Sequence, residues 1–355
     1  MARRPSASVV AARQRGISLI ELMVGVVIAL LAVLVIYQTF AVAEGVKRQT
    51  ISAGDAQQTG MLASYLLGVE FGNAGNGIAT NLTDLATCPD TADAKTTMRP
   101  FSVLITPGAD AATPDSFVVN YATPRSLVTP ALFTALATAG DTTYKIQSPL
   151  GFHKDDMAIA VSGTGNCERV KITDVTAPDG NGIVTLTLAS PSVKDYPPSG
   201  LLINIGPENA VQRVLYDVNA GVLRSTDQVA AGATAAPIAS SIMNLKLQYG
   251  IDTDGNGTVD TWTAAEGLHA PASVLAMTAQ NLGRIKAVRV GLIVRSDEFD
   301  RDSPVFNWTL FQCTAEEAAL YTCPDALTGT LPANYRYRVY ETIVPLRNSM
   351  WNNLS

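Results

Sequence analysis

The chain starts polar and basic, then turns apolar for 27 residues from Ile17 to Ala43. The apolar positions in this run keep no period and fill every face of a helix, the pattern of a membrane span. At about 1.5 Å per residue the run covers about 40 Å, more than a hydrocarbon core of about 30 Å. Beyond Glu44 the pattern thins. Ile51 is isolated, whereas Met61, Leu62, Tyr65, Leu66 and Val69 keep helical spacing. No proline occurs between Pro5 and Pro89, and Gly72-Asn73-Ala74-Gly75-Asn76-Gly77 is a stop signal. The pattern predicts one helix from about residue 17 to about residue 72, roughly 80 Å long. Its second half is expected to bury the Met61–Val69 stripe on a body, because a bare stalk would leave that stripe in water. Gly45, Gly54, Gly60 and Gly68 weaken this half.

After Gly77 the period changes to two. Short β-type runs occur at 101–105 and 116–121. Runs at 171–175 and 183–188 flank Pro178-Asp179-Gly180-Asn181-Gly182, a hairpin signal. A second hairpin is expected across Asn219-Ala220, between 211–217 and 221–225. Longer strands are expected at 243–251, 287–295 and 336–344, the last closed by Pro345. The stretch 96–205 holds many short strands in loops rich in Thr, Ala, Gly and Pro, and is expected to be an inserted β subdomain. The fold class that follows is α+β: a long N-terminal helical spine packed on an antiparallel sheet head with an inserted β-rich region.

Composition fits an ordered body, with 47% hydrophobic and 16% charged residues. The net charge of −6 hides an asymmetry. Arg3, Arg4, Arg13 and Arg15 precede Ile17 with no acidic residue among them, and the remainder carries 21 basic against 31 acidic residues. A basic leader before an apolar run predicts a cytoplasmic N-terminus and an exported body. The acidic body offers no nucleic-acid footprint. The four cysteines, Cys88, Cys167, Cys313 and Cys323, permit three pairings. Cys313 and Cys323 bracket a short segment, which favours a local bridge and leaves Cys88 with Cys167. No C-x-x-C occurs, which argues against structural zinc, and an even count behind an export signal suggests an oxidising compartment.

Glu21 is the anomaly of the apolar run. A charge inside a span costs about 2.5–3.5 kcal/mol on insertion scales and usually has a partner. An ordinary signal anchor or a cleavable signal ending at Ala41-Val42-Ala43 leaves it without one, and the run is longer than the 7–15 apolar residues usual for such a signal. A local role is open: Ser18-x-x-Glu21 fits a capping box.

The string Arg15-Gly16-Ile17-Ser18-Leu19-Ile20-Glu21-Leu22 closely resembles the prepilin peptidase site of type IV pilins and pseudopilins. The resemblance implies cleavage after Gly16, methylation of Ile17 as the new N-terminus, and Glu21 as the glutamate that neutralises a neighbouring subunit's terminus. Family members more often carry Phe or Met at the position of Ile17. The strings Leu245–Asp252, Ala287–Ser296 and Val344–Asn348 are similar to the large minor pilins of the PilW type. That likeness divides the chain into a leader (1–16), a spine helix (17–75) and a periplasmic or extracellular head (76–355). It implies an inner-membrane protein that later joins a pilus fibre in low copy near the tip. Its partners would be prepilin peptidase, other minor pilins, the major pilin and a tip adhesin. A large pseudopilin of a type II secretion system shares these marks. A membrane-anchored calcium-dependent adhesin is the alternative of another class.

The strongest ligand motif is Asp252-Thr253-Asp254-Gly255-Asn256-Gly257-Thr258-Val259-Asp260, which matches positions 1, 3, 5, 6 and 9 of an EF-hand-type calcium loop. Asp252, Asp254, Asn256, Asp260 and the Thr258 carbonyl are the expected ligands. Position 12 is Thr263 rather than a bidentate Glu, and Glu266 reaches back only if the chain turns after Trp262. The alternative is a plain Gly/Asn/Asp hairpin tip. His153 and His269 lie far apart, and G-x-S-x-G, H-E-x-x-H and phosphate-binding glycine loops are missing, so no enzymatic activity is expected. His153 is expected in an exposed loop. The acidic run Asp297–Asp302 reads as a solvated turn, and Trp262, Trp308 and Trp351 as core or edge residues.

Overall fold

The structure is a computed structural model that describes residues 16, 18–79, 82–88, 99–123, 130–147, 150–162, 165–230 and 232–350. Arg13, Arg15, Ile17 and Trp351 lie outside the described residues. The chain forms two units, residues 1–51 and 52–355, whose boundary falls within one helix, α1 (Leu19–Asn73). In the first unit the apolar side chains from Leu19 to Val46 are exposed around the whole helix, and Leu19–Lys47 is long and apolar enough to cross a membrane. That is the pattern of a helix whose solvent is lipid.

The second unit contains the rest of α1, short helices and three larger β structures. In chain order these include α2 (Leu82–Leu85), β1 (Val103–Thr106), β2 (Ser116–Ala122), β3 (Ala131–Leu132), β4 (Thr143–Gln147), β5 (Asp156–Val161), β6 (Cys167–Val175), β7 (Ile183–Leu188) and β8 (Leu201–Pro207). Then come β9 (Val211–Asn219), β10 (Val222–Asp227), β11 (Ala236–Ala239), β12 (Ile242–Ile251), β13 (Thr261–Thr263), α3 (Pro271–Ala276), α4 (Ala279–Gly283) and β14 (Ile285–Arg295). The chain continues with β15 (Phe306–Leu310), α5 (Ala315–Leu320), β16 (Leu327–Leu331), β17 (Tyr337–Pro345) and α6 (Arg347–Met350). The sheets run β1-β2-β9-β10-β11, β13-β12-β14-β17 and β3-β8-β5-β6-β7-β4, with β15-β16 as a separate ribbon, and every described strand pair is antiparallel. The α+β class read from the sequence is the observed one.

The buried face of α1 differs from the expected stripe. Met61, Leu62, Tyr65 and Val69 are 56%, 49%, 68% and 41% exposed, whereas Ala56, Gly60, Ala63, Leu67, Phe71 and Ala74 are buried. The reason is steric. A Cβ at Gly60 would lie 2.0 Å from the Tyr340 ring, so the helix approaches the sheet more closely than a large side chain permits. Further along, Phe71 stacks on Phe117 at 4.7 Å, and Phe117 on Tyr216 at 4.9 Å. The helix stops where the glycine-rich stretch begins. Gly75 and Gly77 take positive φ, and Asn348 Nδ2 donates to the carbonyl of Ala74 at 3.0 Å, satisfying an orphan at the helix end.

Tyr249 ties two sheets together. Its hydroxyl accepts from the Ile105 amide at 2.7 Å and donates to the Val103 carbonyl at 3.4 Å. Beside it a buried ion pair, Lys246 Nζ to Asp115 Oδ1 at 2.9 Å, fixes the turn before β2, because Asp115 also accepts from the Gly108 and Leu247 amides. The hairpin turns follow the sequence signals with one shift. The β9–β10 loop is Ala220-Gly221, both at positive φ as a type I′ turn requires, one residue later than the expected Asn219-Ala220.

The expected inserted region also has different contents. β1 and β2 lie within 96–205 but pair into the five-stranded sheet with β9, while residues 131–207 alone build the six-stranded sheet. Its end strands meet through the Phe133–Ile146 bridge and a bond from the Thr134 amide to the Lys145 carbonyl, so it closes on itself. Phe133, Tyr144, Tyr196, Ile146 and Leu186 fill the interior. Strand pairing across a long insertion depends on partners far away in sequence, which local alternation cannot assign.

Candidate functional sites at the N-terminus and the acidic loop

Glu21 sits in the first turn of α1 and is exposed. The helix opens with the Leu22 amide bonded to the Ser18 carbonyl at 3.1 Å. Among the described residues neither the Ser18 hydroxyl nor the Glu21 carboxylate has a hydrogen-bond partner, so the capping box that would have given Glu21 a local role is not formed. Gly16 is exposed immediately before it, and Ile17 lies outside the described residues. The carboxylate therefore lies on an apolar rod, near the positive end of a helix dipole, with its side chain open to a partner.

The second site is the loop between β12 and β13. Its flanks are fixed by the sheet: the Asp252 amide bonds the Arg284 carbonyl at 2.9 Å, and the Asp260 amide bonds Ile251 at 2.9 Å. Asp252 is 1% exposed and organises the turn from inside. Its Oδ1 accepts from the Gly255 amide at 2.7 Å and its Oδ2 from the Gly257 amide at 2.9 Å. Gly257 has φ +90°, the left-handed bend that the loop needs and glycine supplies. Asp254 accepts from the Asn256 amide and side chain, and Asn256 from Thr258. Asp260 Oδ2 accepts from both the amide and hydroxyl of Thr253 at 2.7 and 2.9 Å, which holds its carboxyl below the usual range.

Three of the expected ligands converge. Asp252, Asp254 and Asp260 each offer a carboxylate oxygen, and these lie within 4.8 Å of one another. Such hard oxygen donors suit calcium or magnesium rather than a soft metal. Asn256 and Thr258 belong to the same loop, bonded to each other. Thr263 is paired with Tyr249 in the β-ladder, and Glu266 is outside the cluster, so neither supplies a twelfth-position ligand. Sequence spacing could not reveal Lys286, 34 residues beyond Asp252 in the chain. Its buried ammonium is 4.0 Å from Asp252 Oδ2, and burial lowers its pKa against the pull of that carboxylate.

The remaining expectations resolve locally. Cys88 bonds Cys167, and Cys313 bonds Cys323. The second bridge closes the segment carrying α5, whose Thr314 and Glu317 form a capping box. Thr322, just before Cys323, hydrogen-bonds on both sides of Thr261, its amide to Asp260 and its carbonyl to the Trp262 amide. His153 is half-exposed beside Asp156. In the acidic run, Asp300 accepts from Arg336 Nε at 2.8 Å, which lowers its pKa and ties that turn to the strand opposite. Trp262 and Trp308 are buried.

Comparison with known proteins places both ends of the chain. Residues 11–37 match the family model described as the prokaryotic N-terminal methylation motif. Residues 207–348, which hold β9–β17 and the acidic loop, match the model described as type IV pilus-assembly protein W. Among solved structures, the chain is similar to the type IV-like pilin TTHA1219 from Thermus thermophilus, at 10% identity and a TM-score of 0.36, covering 82% of this chain and 96% of that one. No curated protein matches significantly. The chain is thus similar to proteins with the prokaryotic N-terminal methylation motif over residues 11–37 and to type IV pilus-assembly protein W over residues 207–348.

Proposed function

We propose that this protein is a minor pilin that takes part in priming or assembling a type IV pilus, at the tip of the fibre. Prepilin peptidase would cut after Gly16, and Ile17 would become the methylated terminus. Leu19–Lys47 would hold the protein in the inner membrane, with the head in the periplasm, until extraction into the fibre. It acts by packing rather than catalysis, against other minor pilins, the major pilin and a tip adhesin. The observation that carries this reading is Glu21: one carboxylate in the otherwise apolar run from Ile17 to Ala43, within a methylation motif and without a side-chain partner among the described residues. Deletion of the gene is expected to reduce surface fibres at least tenfold, counted by electron microscopy and restored by the wild-type chain. Normal fibres with loss of protein secretion would instead favour a pseudopilin of a type II secretion system.

We propose further that the 252–260 loop binds calcium, supported by the convergence of Asp252, Asp254 and Asp260. Without a bidentate twelfth ligand the dissociation constant should fall near that of extracellular modules, about 10⁻⁴–10⁻³ M. Calorimetric titration of the detergent-solubilised chain should show one calcium site, lost in Asp254→Ala. A flat titration of the wild type would remove this reading and leave a hairpin tip.

A further inference from the structure

β17 lies along the buried half of α1 in one direction. Early in the strand the Tyr340 hydroxyl donates to the Gln57 carbonyl at 3.2 Å. At its end Val344 and Pro345 share a groove with Tyr65 and Val69, and Asn348 beyond them reaches Ala74. Strand and helix therefore run the same way, and residues before Tyr340 extend past Ala56 on the side where the chain continues to the membrane-length segment. From Tyr340 back to Tyr337 is about 10 Å of strand. At this end Val305, Tyr335 and Arg338 share a groove with Ala56. The Tyr335 ring meets Phe299 edge-on at 5.8 Å and carries the Arg295 guanidinium over its face at 4.3 Å. Phe299 and Val305 are 61% and 55% exposed.

Chain length says what this rim can touch. The membrane-length segment ends at Lys47, nine residues before Ala56. Nine residues span about 14 Å as helix and at most about 32 Å fully extended, so no bend in the tether carries the rim far from the bilayer surface. The headgroup layer itself extends about 5–8 Å beyond the hydrocarbon core. Side-chain chemistry fits that layer. Aromatic rings and long-stemmed arginines are the groups that settle where lipid meets water. Charge points the same way. Residues 295–302 and 335–338 hold Arg295, Arg301, Arg336 and Arg338 against Asp297, Glu298, Asp300 and Asp302, four against four. Such a balance gives a charged protein partner no net field to read, and a zwitterionic headgroup layer needs none.

We propose that this end of the head rests on the headgroup layer of the membrane that holds Leu19–Lys47, with Phe299 and Val305 in the lipid interface and Tyr335 and Arg338 at its polar boundary. Extraction into a fibre then requires Phe299 and Val305 to leave the lipid, so the contact belongs to the membrane-held stage alone. The inference rests on the membrane-held stage of the assembly reading above.

The test uses the full-length chain in phosphatidylcholine vesicles containing phosphatidylcholine spin-labelled on its headgroup. The native cysteines are all in disulfides, so Phe299→Cys, Val305→Cys and Leu268→Cys each supply one thiol for a fluorophore. Leu268 is the control: it is 81% exposed and follows β13, which pairs with the end of β12 remote from Ile242 and Val294. Labels at 299 and 305 should be quenched at least threefold more than the label at 268. The difference should persist in about 1 M salt, where screening acts within about 3 Å. Equal quenching at the three positions, or its loss in salt, overturns the contact. In cells, a benzoylphenylalanine at position 299 should give lipid adducts in the membrane fraction. An adduct to another pilus subunit there would make the rim a protein interface and overturn the proposal. A chain that washes off the vesicles in carbonate overturns the membrane-held stage and this inference with it, whereas a retained chain without selective quenching overturns this inference alone.

Discussion

Replacing Glu21 by Ala is expected to abolish recovery of the protein in sheared fibres while leaving leader removal and membrane abundance unchanged. On the proposed reading, leader removal would depend on the residues around Gly16 and membrane retention on the apolar length of Leu19–Lys47, which the substitution lengthens rather than interrupts. What Ala removes is a carboxylate that costs about 2.5–3.5 kcal/mol in an apolar phase and is stable there only when neutralised. Glu21 finds no neutralising group within its own chain among the described residues. A neighbouring subunit's amino terminus would supply it, and removing one partner of such a pair leaves the other charge buried and uncompensated. Immunoblots of sheared fibres and of membranes report the two quantities separately. Glu21→Gln should fail as Ala does, since shape is kept and charge is lost. Wild-type recovery of either variant would sink the between-subunit role.

The second large effect is expected at the Cys88–Cys167 bridge. Cys88→Ser with Cys167→Ser should lower stability by about 4 kcal/mol on the chain-entropy account, because the bridge spans 79 residues of sequence. The Cys313–Cys323 bridge, ten residues apart, should matter less, about 3 kcal/mol or below. Position adds to length. Cys88 and Cys167 are buried with Ile78, Leu85, Ile159, Ile203 and Ile205, where the segment after α1 meets β5, β6 and β8. Loss of the bridge should therefore loosen the six-stranded sheet first. Urea unfolding of the detergent-solubilised chain, with hydrogen exchange at 131–207, checks both statements. Equal midpoints for the two bridge variants would refute the ordering.

Much of this architecture was legible because it is local. A run of apolar residues without period can only be a helix in lipid or in a core, and Gly72–Gly77 had to end it. The β6–β7 hairpin followed from Pro178–Gly182, and β12, β14 and β17 from alternation and length. The acidic loop was legible because its clustered carboxylates lie within nine residues. What failed depended on distant partners. The stripe Met61–Val69 has the larger side chains, yet the sheet chose the face with Ala56, Gly60 and Ala63, because Tyr340 leaves room for little else. Strands β3, β4, β5 and β8 have weak local signals and are defined by closing on one another. Lys286 at the back of Asp252, and Thr322 along β13, arrive from far along the chain.

The sequence by itself determined the membrane-length helix, the N-terminal methylation motif, the lone carboxylate at Glu21 in its apolar run and the spacing of the acidic loop, since each is a property of neighbouring residues. Only the tertiary structure decided which face of α1 is buried, that residues 131–207 close into their own sheet, and that β17 keeps an open edge. Those outcomes depend on how closely two surfaces can approach and on which backbone groups are left without a partner, and both are settled between segments remote in sequence.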